Sequence, residues 1–472
     1  MSDSSMQLKL AQIHQWLPGS RIVGDPELTV ARVHTDSRSV AADDVFVALQ
    51  GDTFDAHDFL PSLTASGVKV AIAKHGLVAA GLAGVEVDDT LFALQALAKA
   101  WRAQFAIPLI AVTGSNGKTT VTQMLGSILH AWQAADGLAT QGNFNNHIGV
   151  PLTLLRLRQH HRLAVLELGM NHPGEIAQLA VCAAPTVALV NNAQREHQEF
   201  MHSVQAVAEE NGSVIQHLPA SGTAVFPATD TYHSLWRTYA ADRRVVDFGN
   251  HTAAVHVSHA EASGNGWQLH IHTPAGPIHT HLALPGQHNL HNALAAVSAA
   301  LAAGVPLDAI AQGLTQFQPV SGRSQISVLH SGERQICLID DSYNANPDSV
   351  RAAIDVLAQS APPRLLVLGD MGEVGEQGAS FHAEAGAYAH THRIEQVLTL
   401  GELSVHTARA CQNAVHCNTI EELQTRALEL LPHMGTVLVK GSRFMRMERV
   451  VQALHNANTQ AATQPHKEAS CC

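Results

Sequence analysis

Short apolar runs, each broken by Gly, Asp, Asn or Ser, recur along most of the chain and predict an α/β protein. Between about residues 20 and 84, RIVG, VFVAL, VKVAIAK and VEVDD alternate with Gly and Asp turns, the pattern of a small α/β or β-rich module. The period then lengthens to a helical one over residues 90–105 (TLFALQALAKAWRAQF). Beyond Pro108, the strand-like runs LIAVTG, LAVLELG, TVALVNNA, TAVFP and RVVDFG alternate with amphipathic helices, which predicts a mostly parallel, doubly wound sheet. Residues 255–284 alternate apolar and polar positions at period two and predict antiparallel hairpins appended to it. After a linker at residues 317–321 (FQPVS), ICLIDDS, RLLVLGD, QVLTLG and TVLVKGS repeat the strand–helix rhythm, so a second Rossmann-like sheet is expected.

Three domains follow, with expected bounds 1–84, 85–317 and 318–472, and 472 residues exceed what one hydrophobic core organises. No short repeat or low-complexity run interrupts them. With 46% hydrophobic and 14% charged residues the chain can bury sizeable cores. A net charge of −12 argues against a general nucleic-acid binder, so the cations meeting an anionic ligand must be concentrated locally. The opening residues lack the pattern of a signal peptide, and no apolar stretch is long and unbroken enough to span a bilayer. Six cysteines, two of them at the end of a polar tail (Cys471 and Cys472), do not make a disulfide framework, so a reducing, cytoplasmic location is expected. The 31 histidines read as mostly single surface residues.

The strongest local signal is AVTGSNGKTT, where an apolar strand runs through Gly114, Ser115, Asn116 and Gly117 into Lys118, Thr119, Thr120 and a helix. Small residues there let backbone N–H groups surround a phosphate at the helix N-terminus. Lys118 would reach the outer phosphates and the Thr119 hydroxyl would ligate Mg²⁺. Val112 stands where the full phosphate-loop consensus has Gly. The next strand, LAVLELG, ends on Glu167, a carboxylate at a strand's carboxyl end, where parallel sheets collect ligands; a metal role and a solvated turn acid are the two readings. Glu175 opens a helix and reads as a cap. A third run, TVALVNNAQREHQEF, carries His197 beyond its strand end, in reach of a metal or a phosphate.

Asn143, Asn145 and Asn146 in TQGNFNNHIGVP, and Asn289 and Asn292 in PGQHNLHNALAA, suit sugar hydroxyls, base edges or phosphate oxygens, although such loops also simply form turns. Asn289 and Asn292, three apart at a helix start, point the same way. In the last third, Arg323, Lys440 and Arg443 lie at a linker or strand ends and are the local cations that phosphates or carboxylates need.

In this order the motifs resemble the Mur ligase family over about residues 30–450. The discriminating pieces are DSRSVAADDVFVALQGDTFDAHDF at 36–59, NFNNHIGVP at 143–151, ELGMNHPGEI at 167–176 and DDSYNANPDSV at 340–350. The phosphate loop alone fits folylpolyglutamate synthases equally well; the DSR block and YNANP do not, and the DNPR motif of the diaminopimelate-adding branch is absent. The resemblance implies a three-domain, ATP- and Mg²⁺-dependent ligase. It would add D-alanyl-D-alanine to UDP-N-acetylmuramoyl-tripeptide through an acyl phosphate, and act as a monomer. It further implies Ser37 and Arg38 near the uridine nucleotide, Lys118, Glu167 and His197 in catalysis, and Thr119, Glu167 and His197 on metal. Asn289 and Asn292 would lie by the adenine, Arg323 by the ribose and phosphates, and Asp341 in the nucleotide region. Asn143, Asn145, Asn146, Asn344, Asn346, Lys440 and Arg443 would face the acceptor and dipeptide.

One departure stands out. Members of the family usually carry a lysine, carbamylated by CO₂, on the helix after the histidine; here Asn211 occupies its place in AEENGSVI. Glu209 or Glu210 is the expected stand-in, failing which His197 and water hold the second metal. Two other readings compete: another amino-acid ligase such as a folylpolyglutamate synthase, and a nucleotide sensor that binds ATP without ligation.

Overall fold

The computed structural model describes residues 6–463 apart from residues 52, 134, 135 and 333, so Cys471 and Cys472 lie outside the described residues. Three sheets, one per expected domain, carry the fold, with a two-stranded pair at the start. The first main sheet orders its strands Arg21–Val23, Ala83–Glu86, Val70–Ala73, Asp44–Val47 and Arg32–His34, parallel except for the first. Ala83–Glu86 crosses the expected boundary at 84: the sheet needs it as a partner for two neighbours, and Gly84 lies so close to Ala71 that a Cβ would meet its carbonyl oxygen.

Asp89 then starts the helix Thr90–Arg102 by accepting hydrogen bonds from the backbone N–H groups of Leu91 and Phe92. This helix packs against helices Gly149–Leu154 and Glu175–Ala183 of the central domain. Arg102, buried at its end, donates to the carbonyls of Ala183 (3.1 Å), Phe105 (2.5 Å) and Ile107 (3.1 Å), and burial lowers its pKa from the ordinary value.

The central sheet has nine strands. Around its middle the order is Gly137–Ala139, Leu163–Glu167, Leu109–Thr113, Val187–Val190, Thr223–Pro227 and Arg244–Gly249, all parallel. Leu109–Thr113, Leu163–Glu167 and Val187–Val190 are buried at every position, as sheets covered on both faces require. The strand order winds outward on opposite sides of Leu109–Thr113, which makes its carboxyl end the crevice of a doubly wound sheet. The expected hairpins follow as Val255–Ser263, Gly266–His272 and Ile278–Leu282, with Leu269, Ile271, Ile278 and Leu282 in the core beneath.

The third sheet orders Gln325–Ser331, Arg334–Asp341, Thr436–Lys440, Arg364–Gly369, Gln396–Leu400 and Ala414–Cys417, parallel except for the first strand. Its four inner strands match the four apolar runs. Both edge strands, and the edge strand Gly137–Ala139 of the central sheet, escaped the sequence pattern because edge strands face solvent and lack continuous apolar runs. Among the described residues no helix is long and apolar enough to cross a membrane.

Arg102→Ala should lower the unfolding free energy by about 3 kcal/mol, because it strands several buried carbonyls. Urea denaturation of the full chain, followed by tryptophan fluorescence, measures this; an unchanged midpoint would reduce the clamp to a passive contact.

Candidate active site

A cleft of about 1650 Å³ opens over the carboxyl ends of Leu109–Thr113, Leu163–Glu167 and Val187–Val190, and the third domain forms its other wall. The loop from Gly114 to Gly117 leads into helix Lys118–Gln133, whose first-turn N–H groups have no intrahelical acceptors and are available to an anion. Gly117 is at φ +82°, where L side chains are strained, and a Cβ there would lie 2.2 Å from Asn292 Oδ1.

Neutral amides hold this loop open. Asn191 Nδ2 donates to the Asn116 carbonyl (2.7 Å) and to Asn292 Oδ1 (2.9 Å), while Asn292 Nδ2 donates to Asn289 Oδ1 (3.1 Å). Asn192 Oδ1 accepts from Asn116 N–H (2.8 Å), and Gln194 Oε1 accepts from Asn116 Nδ2 (2.6 Å). Asn211 Oδ1 accepts from Gly114 N–H (2.9 Å) on the buried side of the loop. Carboxamides satisfy donors and acceptors without adding negative charge beside a phosphate.

The charged groups nearest the loop, Lys118, Glu167 and Glu196, are largely buried. Lys118 Nζ lies 2.5 Å from Glu196 Oε1 and 2.5 Å from the Gly114 carbonyl. Burial pushes the Glu196 carboxyl up, but the Lys118 ammonium and His197 bring it below its ordinary value. Glu167 Oε1 accepts from Asn145 Nδ2 (2.8 Å) and from the Thr119 hydroxyl (3.3 Å), and its buried Oε2 has no partner among the described residues. A hydroxyl beside a carboxylate with an unused oxygen is a hard donor set that fits Mg²⁺. His197, at φ +48°, sets Nδ1 2.5 Å from Glu373 Oε2 and Nε2 3.5 Å from Glu196 Oε1. Burial pushes this imidazole down, yet the two carboxylates carry it up to about 9. The two carboxylates thus favour the protonated imidazole, whereas the metal role expected from the sequence uses its neutral form.

The third domain reaches directly onto the phosphate loop. Arg323 stacks over Tyr343, 4.0 Å from the ring centroid, and donates from Nη2 to the Thr119 hydroxyl (3.0 Å). Asn346 exchanges amide hydrogen bonds with Asn116 (2.9 and 3.4 Å) while capping helix Pro347–Ala358. Arg195 forks onto Asp348 (2.6 Å) and Glu384 (2.7 Å) across the same boundary. Lys440, almost fully buried, pairs with Asp341 (2.6 Å) and donates to the Asn344 carbonyl (2.9 Å), while Arg443 stays exposed beside Glu448.

The remaining expected residues lie around this cleft or outside it. Ser37 and Arg38 do not line this cleft, and Arg38 is exposed with its guanidinium forked onto Asp36, two residues away. Asn143 and Asn146 both line the cleft from exposed positions, and Asn146 also forms a turn by accepting from the N–H groups of Ile148 and Gly149. Glu175 accepts from Asn171 N–H and His172 N–H in the turn before its helix. The expected stand-ins for a carbamate are committed elsewhere. Glu210 caps helix Glu175–Ala183 through Gly174 N–H (2.8 Å) and Ile176 N–H (2.7 Å), and Glu209 is exposed beside Gln205. Sequence reasoning missed Asn191, Asn192, Gln194 and Glu196, although Asn191 follows its strand as Gly114 follows Leu109–Thr113.

Residues 29–102 match the profile described as Mur ligase family, catalytic domain, residues 112–300 the Mur ligase middle domain, and residues 322–443 the Mur ligase, glutamate ligase domain. The chain is 38% identical over 437 residues to the UDP-N-acetylmuramoyl-tripeptide–D-alanyl-D-alanine ligase of Escherichia coli (strain K12), covering 92% of this chain and 95% of that one. The protein of that name from Haemophilus influenzae is 35% identical, with 95% and 97% covered. Among solved structures, crystal structure I of MurF from Acinetobacter baumannii superposes with a TM-score of 0.89 at 33% identity, over 96% of this chain and 100% of that one.

Asn211→Ala should weaken ATP binding about tenfold, some 1.4 kcal/mol, because the Gly114 amide loses its buried acceptor and the loop relaxes. Titration calorimetry with ATP measures this; wild-type affinity in a folded variant would contradict the amide's role.

Proposed function

The chain belongs to the Mur ligase family, and we propose that it joins D-alanyl-D-alanine to UDP-N-acetylmuramoyl-tripeptide at the cost of ATP, using the residues of this cleft. It is an ADP-forming carboxylate–amine ligase of peptidoglycan precursor synthesis, as relatives of that name at 35–38% identity over nine tenths of the chain support.

A carboxylate resists attack by an amine, so it must first be activated. The tripeptide's terminal carboxylate oxygen attacks the γ-phosphorus of ATP, forming an acyl phosphate and releasing ADP. The free amine of D-alanyl-D-alanine then adds to the acyl carbon and loses a proton, and the tetrahedral intermediate expels inorganic phosphate. Amide, ADP and phosphate are the products. Little covalent work falls to the protein, so positioning and charge neutralisation carry the catalysis.

Lys118, exchanging Glu196 for phosphate oxygens, neutralises charge developing on the transferred group. Thr119 and Glu167 would hold Mg²⁺, which when bound neutralises and orients the phosphates of ATP. Arg323 reaches the same phosphates from the third domain, Asn289 and Asn292 support the loop beside the adenine end, and His197, beside Glu196, would be a further metal ligand in its neutral form. Asn145, Asn344 and Asn346 lie toward the acceptor and dipeptide, with Lys440 holding Asp341 and Asn344 in place. Closure of the third domain excludes the water that would hydrolyse an acyl phosphate. Ser37 and Arg38 bind the uridine end, outside the ATP cleft. The described cysteines are free thiols, in keeping with a reducing cytoplasm.

What carries the reading is the meeting of Lys118, Thr119 and Glu167 with Arg323 across a domain boundary. A pure nucleotide sensor has no need of a third domain on its phosphate loop. Incubation with ATP, Mg²⁺, the tripeptide nucleotide and D-alanyl-D-alanine should yield UDP-N-acetylmuramoyl-pentapeptide by mass spectrometry. ADP release only with folate and glutamate would favour the folylpolyglutamate reading, and ATP binding with no ADP release would favour a sensor.

Two predictions follow from the charged groups. Lys118→Ala should lower turnover by about 10³-fold or more in a folded protein, and Glu167→Gln should shift the Mg²⁺ titration to higher concentration. Near-normal turnover, or an unchanged Mg²⁺ curve, would remove the respective assignment. Because Asn211 has no amine to carbamylate, added bicarbonate should leave turnover in degassed buffer unchanged; strong activation would mean that another lysine supplies a carbamate.

A further inference from the structure

The three hairpin strands Val255–Ser263, Gly266–His272 and Ile278–Leu282 carry an unusual solvent face. Their register pairs His256 with His272, His259 with His270, and His270 with His279; one step further, Glu261 faces Gln268, which faces His281. Six imidazoles and one carboxylate thus share one side of the ribbon, with no Lys or Arg among them. The opposite side is core, so these are not histidines displaced from packing. The expectation of isolated surface histidines fails here, because alternation places every second residue of each strand on the same face.

His256 and His259 are three residues apart, and strict alternation would put them on opposite faces. The register shifts between Val257 and His259, and that irregularity returns His259 to the histidine side; the Ser258 hydroxyl meanwhile donates to the His270 carbonyl (3.0 Å). His270 is central: its ring centroid lies 4.3 Å from that of His279 and 5.4 Å from that of His259. All three are exposed, and their ring nitrogens make no hydrogen bond among the described residues.

We propose that His259, His270 and His279 form a surface site for a divalent transition-metal ion such as Zn²⁺, Ni²⁺ or Cu²⁺, distinct from the ATP cleft. Neutral imidazole suits these ions and does not suit Mg²⁺. In the rotamers described no three donor side chains among the described residues yet converge as a metal site. Exposed imidazoles change rotamer quickly, and neighbouring strands are about 4.8 Å apart, so the two outer side chains can lean over the central one to reach a common ion. Ordering three free side chains has an entropic cost, which makes this an exchangeable surface site and not a structural one.

Titration calorimetry of the full chain with Zn²⁺ near neutral pH, with Mg²⁺ and ATP saturating the cleft, tests it. Wild type should bind one Zn²⁺ that is lost in the double variant His270→Gln/His279→Gln and retained in His251→Gln, whose exposed histidine lies outside the three strands. Bound Cu²⁺ should show imidazole-nitrogen couplings by electron paramagnetic resonance in wild type and lose them in the double variant, while ligation continues at the wild-type rate in both proteins. Equal Zn²⁺ stoichiometry and affinity in wild type and double variant, or no Zn²⁺ bound by wild type, would overturn the proposal.

Discussion

The loop from Gly114 to Gly117 can offer its backbone to a phosphate only if the rest of its hydrogen bonds are met by groups that bring no negative charge. Asn191, Asn192, Gln194, Asn211 and Asn292 supply this, from the end of one strand, the interior of one helix and the start of another. Each donates or accepts at the loop itself or through a neighbouring amide, so the loop is fixed before any nucleotide arrives. Preorganisation of this kind lowers the cost of binding, since little remains to be ordered. It also gives Asn211 a role of its own: its oxygen answers Gly114, and the adjoining Glu210 is already capping a helix.

Around that neutral cage the charges are balanced in pairs. Lys118 with Glu196, Lys440 with Asp341 and Arg195 with Asp348 each offset a buried or half-buried ion that would otherwise be costly. The last of these ties the third domain to the central one, as do Arg323 on Thr119 and Asn346 on Asn116. Contacts to the phosphate loop thus double as contacts between domains. Nucleotide binding and domain closure are coupled through shared residues and need no separate relay.

The inner strands of all three sheets were legible because burial on both faces writes continuous apolar runs, and the phosphate loop because glycine spacing and a following helix leave few alternatives. Glu167 was legible by its place at a strand end. Glu196 was not, since it lies in a polar run where burial depends on how Lys118 folds back over the loop. Asn146 lines the cleft as its residue type suggested, yet its side-chain oxygen also makes a turn by accepting from N–H groups two and three positions away, which spacing alone does not reveal. The histidine face needed cross-strand register and a shift between Val257 and His259, neither of which a single strand reveals.

The central claim is that this cleft activates a carboxylate by phosphorylating it. The most direct measurement is isotope transfer, with the terminal carboxylate of the tripeptide nucleotide labelled with ¹⁸O and the released phosphate analysed by mass spectrometry. An acyl phosphate route moves one carboxylate oxygen into inorganic phosphate for every amide formed. Product formation with unlabelled phosphate would contradict it.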